Sequence, residues 1–346
     1  MKKKVLIIVA AVLSAVLTIF STVAMIKAIT DAITYVEGQA NSGQSGAITG
    51  ETDVVVNSNR IPITVKDFRL TEPELRIAPY NDSFVYGIRF KAYVPSDMKA
   101  KLDRDSTAAF KTMIAPAFYF EELIAANQGL TDFENVDWIS VFEANGKQFL
   151  NAVADGGFFI EYHNGQEYYS LRGSVSDIMY ANTNLDFVGL VYIEYTNGNV
   201  VSREYAKLPE GETYASYARS FAYLVADALN REAVEPGYYS AADLTMLRQT
   251  KNNSVDLANG QAEETPDDGS DYTVSFSNSL SVAVGQSVVP TVEISPAVSL
   301  PLLWVSTSNA IAKVEGGKIV GVAQGVANIK LYVAGTEYSV VVTVTN

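Results

Sequence analysis

The chain has 346 residues, no cysteine, one histidine and a formal charge of −14. Its length exceeds one ordinary core and implies two or three domains, while an apolar fraction of 48% with 20 tyrosines and 15 phenylalanines excludes general disorder. Without cysteine there is no disulfide, thiolate metal site or Cys nucleophile, one histidine cannot build a histidine metal cluster, and the −18 left outside residues 1–27 repels phosphate backbones, arguing against a nucleic-acid partner.

Residues 1–27, MKKKVLIIVAAVLSAVLTIFSTVAMIK, place three lysines before an uncharged run from Val5 to Ile26, which Lys27 closes. A helix of about 22 residues, rising about 1.5 Å per residue, spans a hydrocarbon core of about 30 Å. The run exceeds the apolar region of a cleaved signal peptide, and its small-residue exit Thr22-Val23-Ala24 is weak, so residues 1–27 are expected to be a signal anchor, with a cleaved leader as the alternative. Either way the lysines stay cytoplasmic, and the rest is expected on the extracellular face of the membrane, or secreted if the leader is cut.

Residues 28–60 read as a flexible tether, since 37–60, EGQANSGQSGAITGETDVVVNSNR, are rich in Gly, Ser, Asn and Gln and lack apolar periodicity. A β-rich middle domain with a few helices is expected over 61–250. In YGIRFKAYV, 86–94, Tyr86, Ile88, Phe90, Ala92 and Val94 alternate with Gly87, Arg89, Lys91 and Tyr93, the period of a half-buried strand, ended by Pro95. The stretches 157–171 and 189–205 each set Asn-Gly between aromatic or β-branched arms, predicting two hairpins with type I′ turns. Helices are expected at 120–129, closed by Gly129; at 216–230, with Tyr217, Phe221, Leu224, Val225, Ala228 and Leu229 on one stripe; and at 240–249, where Ser240 caps and Asp243 stands three residues on. Residues 251–271, KNNSVDLANGQAEETPDDGSD, read as an acidic linker.

Little in the middle domain points to catalysis. His163, the sole histidine, precedes the Asn164-Gly165 turn and reads as a solvated turn residue rather than a triad base. Glu121, Glu122, Asp132, Glu134 and Asp137 could in principle supply a glycosidase pair but sit where the surface acids of an acidic protein ordinarily lie. Asp103, Asp105 and the run Glu263, Glu264, Asp267, Asp268 offer oxygen ligands for calcium without an EF-hand pattern, so no metal is expected. Neither a P-loop nor a dinucleotide fingerprint occurs, and no cofactor is expected. The density of tyrosines, notably Tyr168, Tyr169, Tyr192 and Tyr195, suggests a binding face, against the alternative that they fill a core.

From Tyr272 short strands recur every eight to twelve residues between Gly285-Gln286, Ser295-Pro296, Ser308-Asn309, Gly316-Gly317, Gln324-Gly325 and Gly335-Thr336, the spacing of a seven-stranded Greek-key sandwich. Here WVSTSNAIAKV followed by GGKIVGVAQGVANI resembles the bacterial immunoglobulin-like domain of group 2, through Trp304, Ser306, Asn309, Ala312, Val314, Gly317, Gly321, Gly325, Ala327 and Ile329. The resemblance covers residues 272–346 and implies a structural motif carried by Trp304, Asn309, Val314, Gly317, Gly325 and Ile329, a scaffold and not a reaction. Trp304 is expected to plug the space between two sheets, Gly316-Gly317 to make a tight hairpin, and Gly325 to need positive φ.

The expected fold class is therefore mainly β: a transmembrane or signal helix, a β-rich α+β middle domain and a C-terminal Ig-like β-sandwich. The expected function is that of a non-enzymatic bacterial cell-surface protein, held in the membrane by residues 5–26, acting in adhesion, glycan or protein binding, or envelope-matrix assembly. Two alternatives stand beside it: a secreted glycan-active hydrolase with the Ig-like domain as spacer, and a phage virion structural or decoration protein.

Overall fold

The computed structural model describes residues 67–80, 83–127, 130, 133–153, 158–163, 166–262 and 269–346. The expected membrane segment at 5–26, the tether at 28–60, the Asn164-Gly165 turn, Gly129, Asp132 and the acids at 263–268 lie outside the described residues. Among those described, no helix is long and apolar enough to cross a membrane.

Among the described residues the middle region holds ten strands: β1 Arg69–Leu70, β2 Glu74–Tyr80, β3 Ser83–Val94, β4 Ala108–Pro116, β5 Leu150–Val153, β6 Phe159–His163, β7 Gln166–Ser176, β8 Asp186–Asn197, β9 Val200–Tyr205 and β10 Arg219–Ser220. They form two antiparallel sheets. The first has the order β1-β3-β7-β6 with β2 also on β3; the second has β10-β8-β4-β5 with β9 also on β8. Phe90, Ala92 and Leu171 from the first sheet and Val191 and Ile193 from the second share one buried core. Contact is close where glycine allows it: a Cβ at Gly173 of β7 would stand 2.3 Å from Thr112 Cβ of β4.

Among the described residues six α-helices complete this part: α1 Ser96–Leu102, α2 Ala117–Ala126, α3 Trp138–Ala144, α4 Tyr214–Tyr217, α5 Phe221–Val234 and α6 Ala241–Ala258. Phe120 of α2 and Trp138 and Phe142 of α3 are fully buried, with ring centroids 5.0 Å apart for Phe120–Trp138 and 4.8 Å for Phe120–Phe142. They join the core on the side of the second sheet away from the first, making a third layer.

Several sequence expectations change here. The helix expected at 216–230 is two, because Ser220 leaves helical geometry and caps α5 by accepting from the Tyr223 N–H. The helix expected at 120–129 begins three residues earlier, at Ala117 after Pro116. The capping box at Ser240 and Asp243 is present, but α6 runs on to Ala258, so the stretch read as linker from 251 starts as helix. It is polar yet buried, with Ser254 fully enclosed, because the following chain packs over it: Tyr272 places its hydroxyl 2.6 Å from Ser254 Oγ. The hairpins at 157–171 and 189–205 are both present. In the second, Asn197 pairs with Val200, so the loop is Gly198-Asn199 and Gly198 has a φ of 62° where Asn199 has no positive φ, the pattern of a type II′ turn rather than I′.

The C-terminal region holds nine strands where seven were expected: β11 Thr273–Phe276, β12 Ser279–Ala283, β13 Ser287–Val288, β14 Val292–Ser295, β15 Leu302–Ser306, β16 Ala312–Glu315, β17 Lys318–Gly321, β18 Gly325–Val333 and β19 Thr336–Thr345. A sheet of order β12-β19-β18-β15 packs with β13-β17-β16 around Val282, Ala312, Ile319, Ala327, Ile329, Val340, Val342 and Val344. Strand β12 runs parallel to β19; β11 pairs with β14. Gly316 and Gly317, with φ of 56° and 72°, turn β16 into β17 as expected, and Gly325 has a φ of 156° beside Ile311. The last turn is Ala334-Gly335, one residue before the expected pair.

Candidate functional site

The most elaborate polar arrangement lies on the face of the first sheet turned away from the second. Alternation along β3 sends Ile88, Phe90 and Ala92 inward and Arg89, Lys91 and Tyr93 outward. Pairing sets Lys91 opposite Arg172 of β7 and Tyr93 opposite Ser170; β6 adds Phe159 and Glu161, with Glu161 opposite Tyr168. Two cations facing each other across a ladder repel, and Glu161 reaches between them to resolve it. Its carboxylate accepts from Lys91 Nζ at 3.1 Å, Tyr93 Oη at 3.1 Å, Ser170 Oγ at 2.6 Å and Arg172 Nη2 at 2.5 Å. Lys91 also donates to Glu74 of β2 at 2.6 Å.

A half-buried strand would leave this face to solvent. Instead Lys91 and Tyr93 are 5% and 3% exposed and Ser170 is fully buried. Burial alone would raise the Glu161 carboxyl; the Lys91 ammonium, the Ser170 hydroxyl and the Arg172 guanidinium outweigh it and hold Glu161 well below the usual carboxylate range. Burial likewise opposes ionisation of Glu74, and Lys91 with Arg89 brings it down. Both carboxylates are ionised acceptors, unsuited to donate a proton as a glycosidase acid must.

At the rim of this network the Arg172 guanidinium lies 4.5 Å from the centroid of the Phe159 ring, which is 49% exposed. Tyr168 packs against Tyr93 with centroids 5.3 Å apart. The result is a ring platform whose flanking cation is fixed from behind by Glu161. Neither Phe159 nor Arg172 is among the residues the sequence singles out; the signal available is Phe158-Phe159-Ile160 leading into an edge strand, three apolar residues where strict alternation would allow two.

The four tyrosines suggested by the sequence do not share a face. Tyr168 is on this outer surface, and Tyr169, its neighbour in the strand, points to the opposite one, where the Lys99 ammonium stands 4.8 Å from its ring. Tyr192 is fully buried between the second sheet and α3, stacked on Tyr205 at 5.2 Å and donating to Asn151 Oδ1 at 3.0 Å. It is removed from any binding face because both sides of β8 are covered. Tyr195 is half-buried and lines a shallow groove with Met98, Leu102, Asp105 and Glu204, donating to Glu204 at 3.2 Å.

The candidate acids have local structural work. Glu122 pairs with Lys147, Glu134 accepts from the Leu208 N–H, and Asp137 caps α3 and binds Arg203 and Tyr205. Asp103 pairs with Lys99, while Asp105 accepts from the backbone and hydroxyl of Thr107. Glu121 differs, since it lies near enough to Asp186 to add to the burial that pushes the Asp186 carboxyl upward against the pull of Arg219. No group of three or more candidate metal ligands occurs among the described residues. His163 ends β6.

In the C-terminal sandwich, Ile329 is fully buried, Val314 packs on the core and Asn309 is exposed in the turn after β15. Trp304 is half-buried rather than a plug: it touches both the sandwich core and the apolar cluster at the junction with α5 and α6.

No protein-family model matches the chain, and no curated protein matches it. Among solved structures, the tandem Ig repeats of Dlar are similar at 8% identity over 80% of this chain and 98% of theirs, with a TM-score of 0.16, too low to bear on the fold.

Proposed function

We propose that the chain is a non-enzymatic protein of the bacterial cell surface that binds a glycan on the Phe159 platform. The observation that carries this reading is the half-exposed Phe159 ring held 4.5 Å from Arg172, with Tyr168 on the same face. A pyranose stacks its C–H face on such a ring while a neighbouring guanidinium donates to its hydroxyls, and pre-fixed groups lose little entropy on binding. Residues 5–26 hold the protein in the membrane and place the rest outside the cell. The packing of the four-stranded sheet β12-β19-β18-β15 on the three-stranded sheet β13-β17-β16, with the motif residues from Trp304 to Ile329, supports a group 2 immunoglobulin-like module.

The full chain in detergent, applied to an array of cell-wall and host glycans, is expected to bind one class, and Phe159→Ala to abolish the signal while leaving the fold intact. Binding to no glycan, or equal binding by Phe159→Ala, rejects the platform. Surface proteolysis of intact cells is expected to degrade the protein; a protected protein rejects the location.

One observation favours the hydrolase reading: the raised carboxyl of Asp186 beside Glu121. Release of reducing sugar that is lost in Asp186→Asn would establish it in place of the first.

A further inference from the structure

We infer that Asn230 locks the C-terminal sandwich onto the middle domain, so that the two move as one body and the sandwich is not a module swinging on a tether. Asn230 lies on α5 and is fully buried. Its side-chain oxygen accepts from the Gly335 N–H at 2.8 Å, and its amide donates to the Pro301 carbonyl at 3.0 Å. Both partners are main-chain groups of the sandwich, one in the β18–β19 turn and one just before β15. A carboxamide is the side chain that offers an acceptor and a donor side by side, so each half of the group is used and the orientation of both loops is fixed at once.

The turn it grips is shaped for this contact. Ala334 has a φ of 47°, a left-handed conformation that costs a residue with a Cβ about 1 kcal/mol or more. Gly335 has a φ of 86° and comes so near α5 that a Cβ would stand 3.2 Å from Leu229 Cβ. Strain of this kind persists where surrounding packing over-determines it. That packing is a cluster drawn from both sides, Ala226 and Val255 from the helices with Leu300, Leu331, Val333 and Ala334 from the sandwich. A second set of contacts grips α6: Ser254 with Tyr272, Ser270 donating to Asp256 at 3.0 Å, and Lys251 with Asp271 at 3.2 Å. A buried amide satisfied on both sides makes other orientations of the apolar contact unfavourable, because they would bury it unpaired.

The absence of native cysteine makes the test clean, since two introduced thiols are unique labelling sites. The full chain in detergent would carry Glu143→Cys at an exposed position of α3 and Thr343→Cys at an exposed position of β19, each spin-labelled, for distance measurement by pulsed electron resonance. With Asn230 present a single narrow distance distribution is expected. Asn230→Leu is expected to broaden it and add populations at other distances. Asn230→Asp, which keeps the acceptor for Gly335 but cannot donate to Pro301, is expected to fall between them and serves as the readout should the leucine variant fail to fold. A broad distribution in the parent, or an unchanged narrow one in a folded Asn230→Asp or Asn230→Leu chain, overturns the inference.

Discussion

The Phe90 ring on β3 lies against Gly189 on β8 so closely that a Cβ at Gly189 would stand 2.0 Å from Phe90 Cγ. The separation of the two sheets is therefore set here by the thickness of one ring resting on bare backbone, and Tyr217 closes the site by donating to the Gly189 carbonyl at 3.3 Å. Gly189→Ala is expected to cost about 3 kcal/mol in urea unfolding, the upper range for overpacking, because Phe90 is fully buried and has nowhere to turn. Combining it with Phe90→Leu should return part of that loss, a coupling two independent sites would not show. A Gly189→Ala chain as stable as the parent would mean that the sheets do not pack as described.

The network around Glu161 makes a pH-dependent contribution whose sign is fixed. A carboxyl held below its ordinary 4.5 in the folded chain stabilises fully above that value, where the unfolded group is also ionised, and its contribution fades as the pH falls toward the lowered folded value. Glu161→Gln should therefore unfold more easily at pH 7, by about 3 kcal/mol, since Lys91 and Arg172 lose a shared, largely buried anion. Below about pH 4.5 the gap between variant and parent should narrow. Thermal unfolding across that range tests both statements; a gap that widens on acidification contradicts the assignment.

Aromatic residues of the middle domain should separate into two classes when stability and binding are measured on the same variants. Tyr192→Ala removes a ring that is fully buried and is expected to cost about 3 kcal/mol or more, with any loss of binding following from unfolding. Phe159→Ala removes a half-exposed ring and should leave the unfolding free energy within about 0.5 kcal/mol of the parent while weakening glycan binding. If Phe159→Ala unfolds the protein as readily as Tyr192→Ala, the ring is a core residue and the platform reading fails.

What the sequence discloses follows from how far apart the interacting residues are. The strand at 86–94, the capping box at Ser240 and Asp243 and the Gly316-Gly317 turn are local patterns, and each was legible. Lys91 and Glu161 are 70 residues apart, so the charged positions of β3 read as a wet face when they are enclosed. The burial of Tyr192 has a local sign: Gly189 to Ile193, GLVYI, is an unbroken apolar run, the mark of a strand covered on both faces rather than one. Helix α3 escaped because seven residues give only two turns of periodicity, although Asp137 signalled its cap. The polar end of α6 read as linker because its burial depends on Tyr272 and the sandwich, which no window around residue 254 contains.

Two glycines of the C-terminal motif should differ in what they tolerate, and for different reasons. Gly317 stands in open space with a φ of 72°, so Gly317→Ala meets only the left-handed backbone penalty, about 1 kcal/mol. At Gly321 a Cβ would stand 2.5 Å from the Ala283 carbonyl oxygen and 3.0 Å from Val344 Cγ1. The first of these is backbone, held where the Gly285 N–H donates to the Gly321 carbonyl at 2.9 Å, so no side chain can swing aside to make room. Gly321→Ala must separate β12 and β19 from β17 and should cost about 3 kcal/mol, the top of the overpacking range. Urea unfolding of the two variants ranks them directly, and equal losses would show that the close approach is absent and that turn geometry alone explains both glycines.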